Sequence, residues 1–300
     1  MPLQNKSNKI IIGTANMGSK NYGYSKKRVW SPKILINYIL KKKVFLFDTA
    51  NSYDSEKIFF NLNKKIKIFS KTIQIKENLK KLNKNKLKKI IVNSISKSIK
   101  NSPKKKIYCM YIHRIEDFFY NRKIILEILL KERNNGKVNH IGISLDHFKK
   151  LKKILLHSEI KYVQLPVNIF DQRWKKIFQN KRLIKNKKFV ARSIFLQGLI
   201  FKNKKNWPLK IKKFYPKVTK VLNKIQSRFP ERSLDEICFV YVNSINKFDN
   251  IIVGVSKIED IDRLLKYRLN KKFSKNEISF IEKETKNIPK SFYIPSSWQN

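Results

Sequence analysis

Short apolar or β-branched runs recur near residues 9–14, 44–48, 66–71, 106–113, 140–144, 162–168, 188–194 and 250–255. Each has the length of a buried strand and is bounded by polar or turn-forming residues. Between the runs the apolar spacing becomes helical. Ser31-Pro32 reads as an N-cap followed by a first-turn proline, leading into Ile34, Leu35, Ile36, Tyr38, Ile39 and Leu40. The stretch 85–100 repeats Leu87, Ile90, Ile91, Ser94, Ile95 and Ile99 at helical spacing, and 122–133 does so with Ile125, Leu126, Leu129 and Leu130. Ser233 with Glu236, Ser256 with Glu259 and Ser274 with Glu277 have capping-box spacing and predict three further helix starts. Strands alternating with helices predict parallel strands joined by right-handed crossovers, as a closed barrel or an open doubly wound sheet. The count of eight favours the barrel. A (β/α)8 barrel takes about 250 residues as one unit, so the 300 residues are expected to form a single α/β domain of the TIM-barrel type over 1–300.

Three of the runs stop abruptly at a residue that can do chemistry. Val44-Phe45-Leu46-Phe47 ends at Asp48, and Tyr53 follows five residues later in a polar stretch expected to open a helix. Ile66 to Ser70 runs into Lys71, and Ile107 to Ile112 runs into His113. In a parallel barrel the active site forms at the carboxyl ends of the strands, which is where these residues fall. Three segments exceed what connection requires: 15–30, 195–216 and the tail from about 270. Long connections of this kind are commonly functional. Their aromatics, Met17's neighbours Tyr22, Tyr24 and Trp30, then Trp207, then Phe292, Tyr293 and Trp298, suit either a substrate pocket or loop packing against the barrel. No GxGxxG follows a strand, which argues against a Rossmann cofactor site.

The segment Phe47-Asp48-Thr49-Ala50-Asn51-Ser52-Tyr53-Asp54-Ser55-Glu56, with Lys71 and His113 at the next two strand ends, resembles the aldo-keto reductase superfamily. The similarity continues through Ile11 to Gly18, Ile141-Gly142-Ile143-Ser144, Val163 to Asn168, Ala191-Arg192-Ser193, Gln197-Gly198-Leu199 and Val253-Gly254-Val255-Ser256. The resemblance implies a catalytic tetrad at Asp48, Tyr53, Lys71 and His113. It also implies an extended nicotinamide dinucleotide across the top face. Ser144, Gln164 and Asn168 would hold the carboxamide, Ser193, Leu196 and Gly198 would lie beside the pyrophosphate, and Ser256 and Lys257 would lie at the far phosphate. Leu145 stands where many relatives carry Asn, and Asp260 and Leu264 stand where relatives often carry Gln or Glu and Asn.

These residue types suit that chemistry. Carbonyl reduction needs a hydride at carbon and a proton at oxygen. A tyrosine, with a reference pKa of about 10, is a weak acid unless a cation stands close. Lys71 is such a cation if Asp48 holds it, and His113 is suited to orienting and polarising the carbonyl oxygen. Singly, each has an ordinary explanation: a strand-end turn acid, a surface aromatic, a core histidine, and a lysine in a chain where Lys and Arg supply 69 of 300 residues. Their joint placement at successive strand ends favours the site. The expected activity is NAD(P)H-dependent reduction of an aldehyde or ketone. The rival is a cofactor-binding regulatory or interaction protein on the same fold.

Composition adds boundaries. The net charge of +48 suggests a phosphate-binding surface. However, the lysines are spread through runs such as 83–89, 149–153 and 202–205 rather than gathered on one face, so no specific nucleic-acid partner is expected. A cationic molecule attracts anionic carbonyl compounds, so an anionic or sugar-derived carbonyl substrate is the expected partner class, although charge this diffuse selects little. No run reaches the roughly 18 apolar residues of a membrane span, and the start, MPLQNKSNKIIIG, lacks a signal-peptide pattern, so a cytoplasmic location is expected. Cys109 and Cys238 sit in apolar patterns and read as reduced core residues. NADPH is expected over NADH. Lys257 and Arg263 lie near the helix start at Ser256, where N–H groups favour a 2′-phosphate, while Asp260 and Asp262 oppose it.

Overall fold

A computed structural model describes residues 9–18, 31–148 and 151–298. Eight strands form: β1 Ile10–Gly13, β2 Leu46–Asp48, β3 Lys67–Lys71, β4 Ile107–Ile112, β5 Val138–Ser144, β6 Ile160–Pro166, β7 Lys188–Arg192 and β8 Asn250–Gly254. All are parallel, and they pair in chain order into a closed barrel sealed by β1 against β8. Every expected strand forms within two residues of its sequence bounds. The fold is therefore the (β/α)8 barrel.

Strands in such a barrel are covered on both faces, outside by helices and inside by one another, so they read as continuous apolar runs. Ile11, Leu46, Phe69, Cys109, Tyr111, Tyr162, Val190 and Ile252 fill the interior. β5 contributes Gly142 to that layer. A Cβ there would stand 2.5 Å from the Tyr111 ring, so the missing side chain makes room for the tyrosine. The outer core is larger and joins the strands to the helices, among them Leu35, Ile36, Leu87, Ile91, Phe118 and Leu129.

Because successive strand side chains alternate, the residue two beyond an interior residue also points inward, one layer higher. Leu46, Phe69, Tyr111, Gly142, Tyr162 and Val190 are thus followed by Asp48, Lys71, His113, Ser144, Gln164 and Arg192. The pleat delivers six polar or charged side chains to the carboxyl mouth of the barrel.

Helix Pro32–Lys41 starts after Ser31 as expected, although the Ser31 side chain caps nothing. Helix Lys84–Asn101 is capped by Asn83, whose Oδ1 accepts from Lys86 N at 2.9 Å. The helix expected at 122–133 begins earlier and spans Ile115–Asn134, with non-helical backbone at Asn121. The Ser274–Glu277 capping box is present in both directions. At Ser233 only half of it forms, since Glu236 instead accepts from Asn270. The box expected at Ser256 is displaced by one residue: Lys257 is the N-cap of Ile258–Leu269, and Asp260 accepts from both Ser256 N and Lys257 N.

The polar stretch after β2 does not open an α-helix. It forms two 3₁₀ turns, Asn51–Tyr53 and Ser55–Phe59, because Asp54 between them adopts a left-handed conformation that an α-helix cannot carry. The 195–216 segment is built of short turns, and the tail from 270 carries helices Lys275–Thr285 and Lys290–Tyr293. Trp207 stacks on Phe292 at 5.2 Å and Trp298 is buried, so these aromatics fasten the loops to the barrel. Tyr22, Tyr24 and Trp30 lie outside the described residues. Cys109 and Cys238 are buried free thiols. Among the described residues no helix is long and apolar enough to cross a membrane.

Candidate active site

A cavity of about 1060 Å³ opens at the carboxyl ends of the strands. Asp48, Tyr53, Lys71 and His113 all line it. Lys71, 3% exposed, donates to Asp48 Oδ1 at 2.6 Å and to the Thr49 carbonyl at 2.9 Å. Its ammonium lies over the Tyr53 ring, 5.3 Å from the centroid. The His113 ring meets Tyr53 edge-on at 6.4 Å.

Tyr53 is placed by the residues that follow it. The Ser55 hydroxyl is within hydrogen-bond reach of Thr14 at 2.9 Å and Thr49 at 3.0 Å. The buried Glu56 accepts from Ser70 and Ser98, which ties the turn to β3 and to helix Lys84–Asn101. Gly18 presses on the same turn: a Cβ there would fall 1.7 Å from the Tyr53 carbonyl oxygen, so only glycine fits.

The charges around Tyr53 act in opposite directions. Burial and then the Asp48 carboxylate push its hydroxyl above its ordinary value, with Arg192 pulling the other way. The expected lowering of the Tyr53 pKa by Lys71 is therefore not found: burial and Asp48 hold the hydroxyl above its ordinary value instead.

His113 is pushed in the opposite direction, down to about 3, by burial and then by Lys71, so it is neutral at pH 7. Between 6.5 and about 3 the unfolded chain binds a proton here that the folded protein does not, so stability falls as pH drops through that window. Urea midpoints should show His113→Gln losing about 1–2 kcal/mol less than the parent between about pH 7 and pH 5. Equal losses would show that the imidazole is not held neutral.

The residues expected to hold a cofactor divide. Ser144, Gln164, Ser193, Gly198 and Ser256 line the cavity, whereas Asn168, Leu196 and Lys257 do not. Ser144 donates to Gln164 Oε1 at 2.8 Å and Gln164 donates to Asp48 Oδ2 at 2.9 Å, so two of the carboxamide candidates join Asp48 and Lys71 in one chain of hydrogen bonds. Asn168 is turned to the backbone. Its Oδ1 accepts from Phe170 N and Asp171 N, fixing the loop after β6, while its buried Nδ2 has no partner among the described residues. Ser193, Leu196 and Gln197 all have positive φ and precede Gly198, and within this turn Leu196 N donates to Ser193 O and Gly198 N to Phe195 O. At the far end, Asp260 occupies the N–H groups of Ser256 and Lys257, and Arg263 pairs with Asp260 at 2.8 Å and Asp235 at 3.5 Å.

Several lining residues were not assigned roles from sequence. Arg192 donates to the Leu145 carbonyl and to Ser193 Oγ and pairs with Asp146. Asn16 bridges the first loop to Val255 O and Ser256 Oγ. Arg114 and Arg173 are each held by a buried carboxylate, Asp117 and Asp171. Paired in this way, the arginines make the mouth polar rather than a strongly positive funnel. Gln74 also lines the cavity, beside His113. Arg192 was readable, since it occupies the same inward offset as the others. Gln74, in a loop, follows no such period.

Solved structures share this architecture. An aldo-keto reductase from Bacillus halodurans, in its holo form, superposes with a TM-score of 0.74 over 93% of this chain and 92% of that one, at 18% identity. The glycerol dehydrogenase from Gluconobacter oxydans gives a TM-score of 0.68 over 95% and 92%, at 16% identity. An aldo-keto reductase from a Medee basin deep-sea metagenome library gives 0.61 over 93% and 92%, at 13% identity. No curated protein sequence matches. The sequence profile described as the Aldo/keto reductase family matches residues 9–285. With that match over most of the chain and eight parallel strands closed in order, the protein belongs to the aldo/keto reductase family, a family of oxidoreductases.

Proposed function

We propose that the protein reduces an aldehyde or ketone by direct hydride transfer from NAD(P)H, with Tyr53 as general acid. The observation that carries this reading is the buried Lys71 ammonium, gripped by Asp48 at 2.6 Å and set over the face of Tyr53. A buried ion pair contributes little to stability by itself, and its place beside a cavity-lining tyrosine gives it a catalytic use. A reduced nicotinamide bound in the cavity supplies the hydride. The carbonyl oxygen gains negative charge as the carbon is reduced, and the Tyr53 O–H bond breaks to deliver its proton there. Lys71 then stabilises the tyrosinate, Asp48 keeps Lys71 in place, and His113 positions the oxygen.

The residues suit a dinucleotide. Ser144 and Gln164 offer donors and acceptors beside the tetrad, and Ser193 and Gly198 in the left-handed turn line the same cavity. Asn168, with an orphaned buried amide, is the natural addition to the carboxamide set. Leu196 would back the turn, and Ser256 and Lys257 would meet the adenosine end. The polar, internally paired mouth suits a neutral or sugar-derived carbonyl compound better than a strongly anionic one. The two reduced buried thiols and the nicotinamide dependence fit a cytoplasmic enzyme, and the diffuse charge requires no nucleic-acid partner. A panel of carbonyl substrates, followed by nicotinamide oxidation, tests the activity.

NADPH should be preferred over NADH, but modestly. Lys257 and Arg263 favour a 2′-phosphate, yet Arg263 must leave Asp260 and Asp235 to reach it. A kcat/KM ratio below about tenfold, equivalent to roughly 1.4 kcal/mol, is expected. Asp260→Asn should enlarge the ratio and Lys257→Ala should reduce it. NADH used as well as or better than NADPH would overturn this assignment.

A further inference from the structure

Three hydroxyls lie behind the cavity wall, at the root of the tetrad. Thr14, Thr49 and Ser55 are each 0% exposed, and none of the three lines the cavity. The Thr14 hydroxyl stands 3.1 Å from the Asp48 carbonyl oxygen, which can only accept, so Thr14 donates there. A hydroxyl has a single proton to give, and satisfying every contact leaves one arrangement. In the 2.9 Å contact between Thr14 and Ser55 the serine donates, and in the 3.0 Å contact between Ser55 and Thr49 the threonine donates. The result is a one-way chain of hydrogen bonds, from Thr49 to Ser55 to Thr14 to the Asp48 carbonyl.

This chain reaches the supports of Asp48, Lys71 and Tyr53 together. The Asp48 carbonyl accepts from Thr14 twice, from the hydroxyl and from the backbone N at 2.9 Å. The Thr49 carbonyl accepts from Lys71 Nζ at 2.9 Å. Tyr53 precedes Ser55 across Asp54, whose φ of 56° is left-handed. A residue other than glycine is strained there and persists where its surroundings over-determine the backbone. Ser55 supplies that restraint on one side of Asp54, and Gly18 closes on the Tyr53 carbonyl on the other. We infer that Ser55 is a positioning residue: through its two hydroxyl partners it sets where the Tyr53 hydroxyl stands relative to the Lys71 ammonium. The inference rests on the proposed use of Tyr53 as the acid. Ser55 lies behind the wall, so it acts on the proton-transfer geometry without touching either ligand.

Single-turnover nicotinamide oxidation by Ser55→Ala tests the role. The variant removes the acceptor of the Thr49 proton and the donor to Thr14. The rate constant should fall by about tenfold to a hundredfold, because a misplacement of about 1 Å costs roughly that much. The amplitude should stay full, and dinucleotide affinity by fluorescence titration should stay close to that of the parent. A parental rate constant with reduced amplitude would mean that the serine only keeps the chain folded, and would overturn the inference. Thr14→Val keeps the side-chain volume, removes the hydroxyl and should give the same slow, full-amplitude turnover; it serves if Ser55→Ala does not fold. Thr14→Ser, which keeps the hydroxyl, should restore the rate constant. A parental rate constant in the folded hydroxyl-free variant would also overturn the inference. Failure of the underlying reading looks different. Full turnover in Tyr53→Phe would remove the acid itself, whereas a slow Tyr53→Phe beside a parental Ser55→Ala would remove only the positioning role.

Discussion

Tyr53→Phe should lower the rate of carbonyl reduction by about 10²–10⁴, the usual worth of a positioned general acid, while dinucleotide binding stays close to that of the parent. The substitution removes only the hydroxyl. The ring survives, and with it the contact under the Lys71 ammonium and the edge of His113. Burial and Asp48 hold the hydroxyl above its ordinary value, so Tyr53 keeps its proton throughout the neutral range. The acid form is thus fully present at pH 6 and at pH 8, and reduction should not decline between them through loss of this proton. Single-turnover nicotinamide oxidation checks the rate and a fluorescence titration checks binding. Turnover near the parental value would place the acid elsewhere. Parent and variant that both bind the dinucleotide and both fail to reduce would favour the regulatory alternative.

The barrel was legible because a parallel strand covered on both faces must be apolar throughout, and eight such runs leave few topologies. The tetrad was legible for a related reason. A polar residue at the end of an apolar run is conspicuous, and period 2 carries Asp48, Lys71 and His113 to the same mouth as Ser144, Gln164 and Arg192. What escaped the sequence depends on contacts between segments far apart. Nothing in its spacing showed that Asn168 Oδ1 accepts from Phe170 N and Asp171 N and so ties down the loop after β6. Ser256 has capping-box spacing, but Asp260 lies closer to the free N–H groups than Glu259 and takes them. Tyr53 sits on a 3₁₀ turn because Asp54 interrupts it, and Gly18 matters only because that turn folds back against it.

Lys71→Met should be damaging twice over, and the two effects can be separated. Asp48 is 6% exposed and Lys71 3%, so the variant strands a buried carboxylate that keeps the Gln164 amide as a donor. Removing one partner of a buried pair costs about 3–5 kcal/mol, mostly because the other charge is left uncompensated. The urea midpoint should fall accordingly. Reduction should fall by about 10² or more, because the tyrosinate formed after proton transfer loses the cation beneath its ring. Asp48→Asn in the same chain removes the stranded charge while keeping the shape that Gln164 bonds to, so the double variant should recover most of the lost stability. It should not recover activity. If Lys71 were a purely structural partner of Asp48, activity would return along with stability. An active double variant would therefore refute the catalytic role of Lys71, and a stable, folded and inactive one would support it.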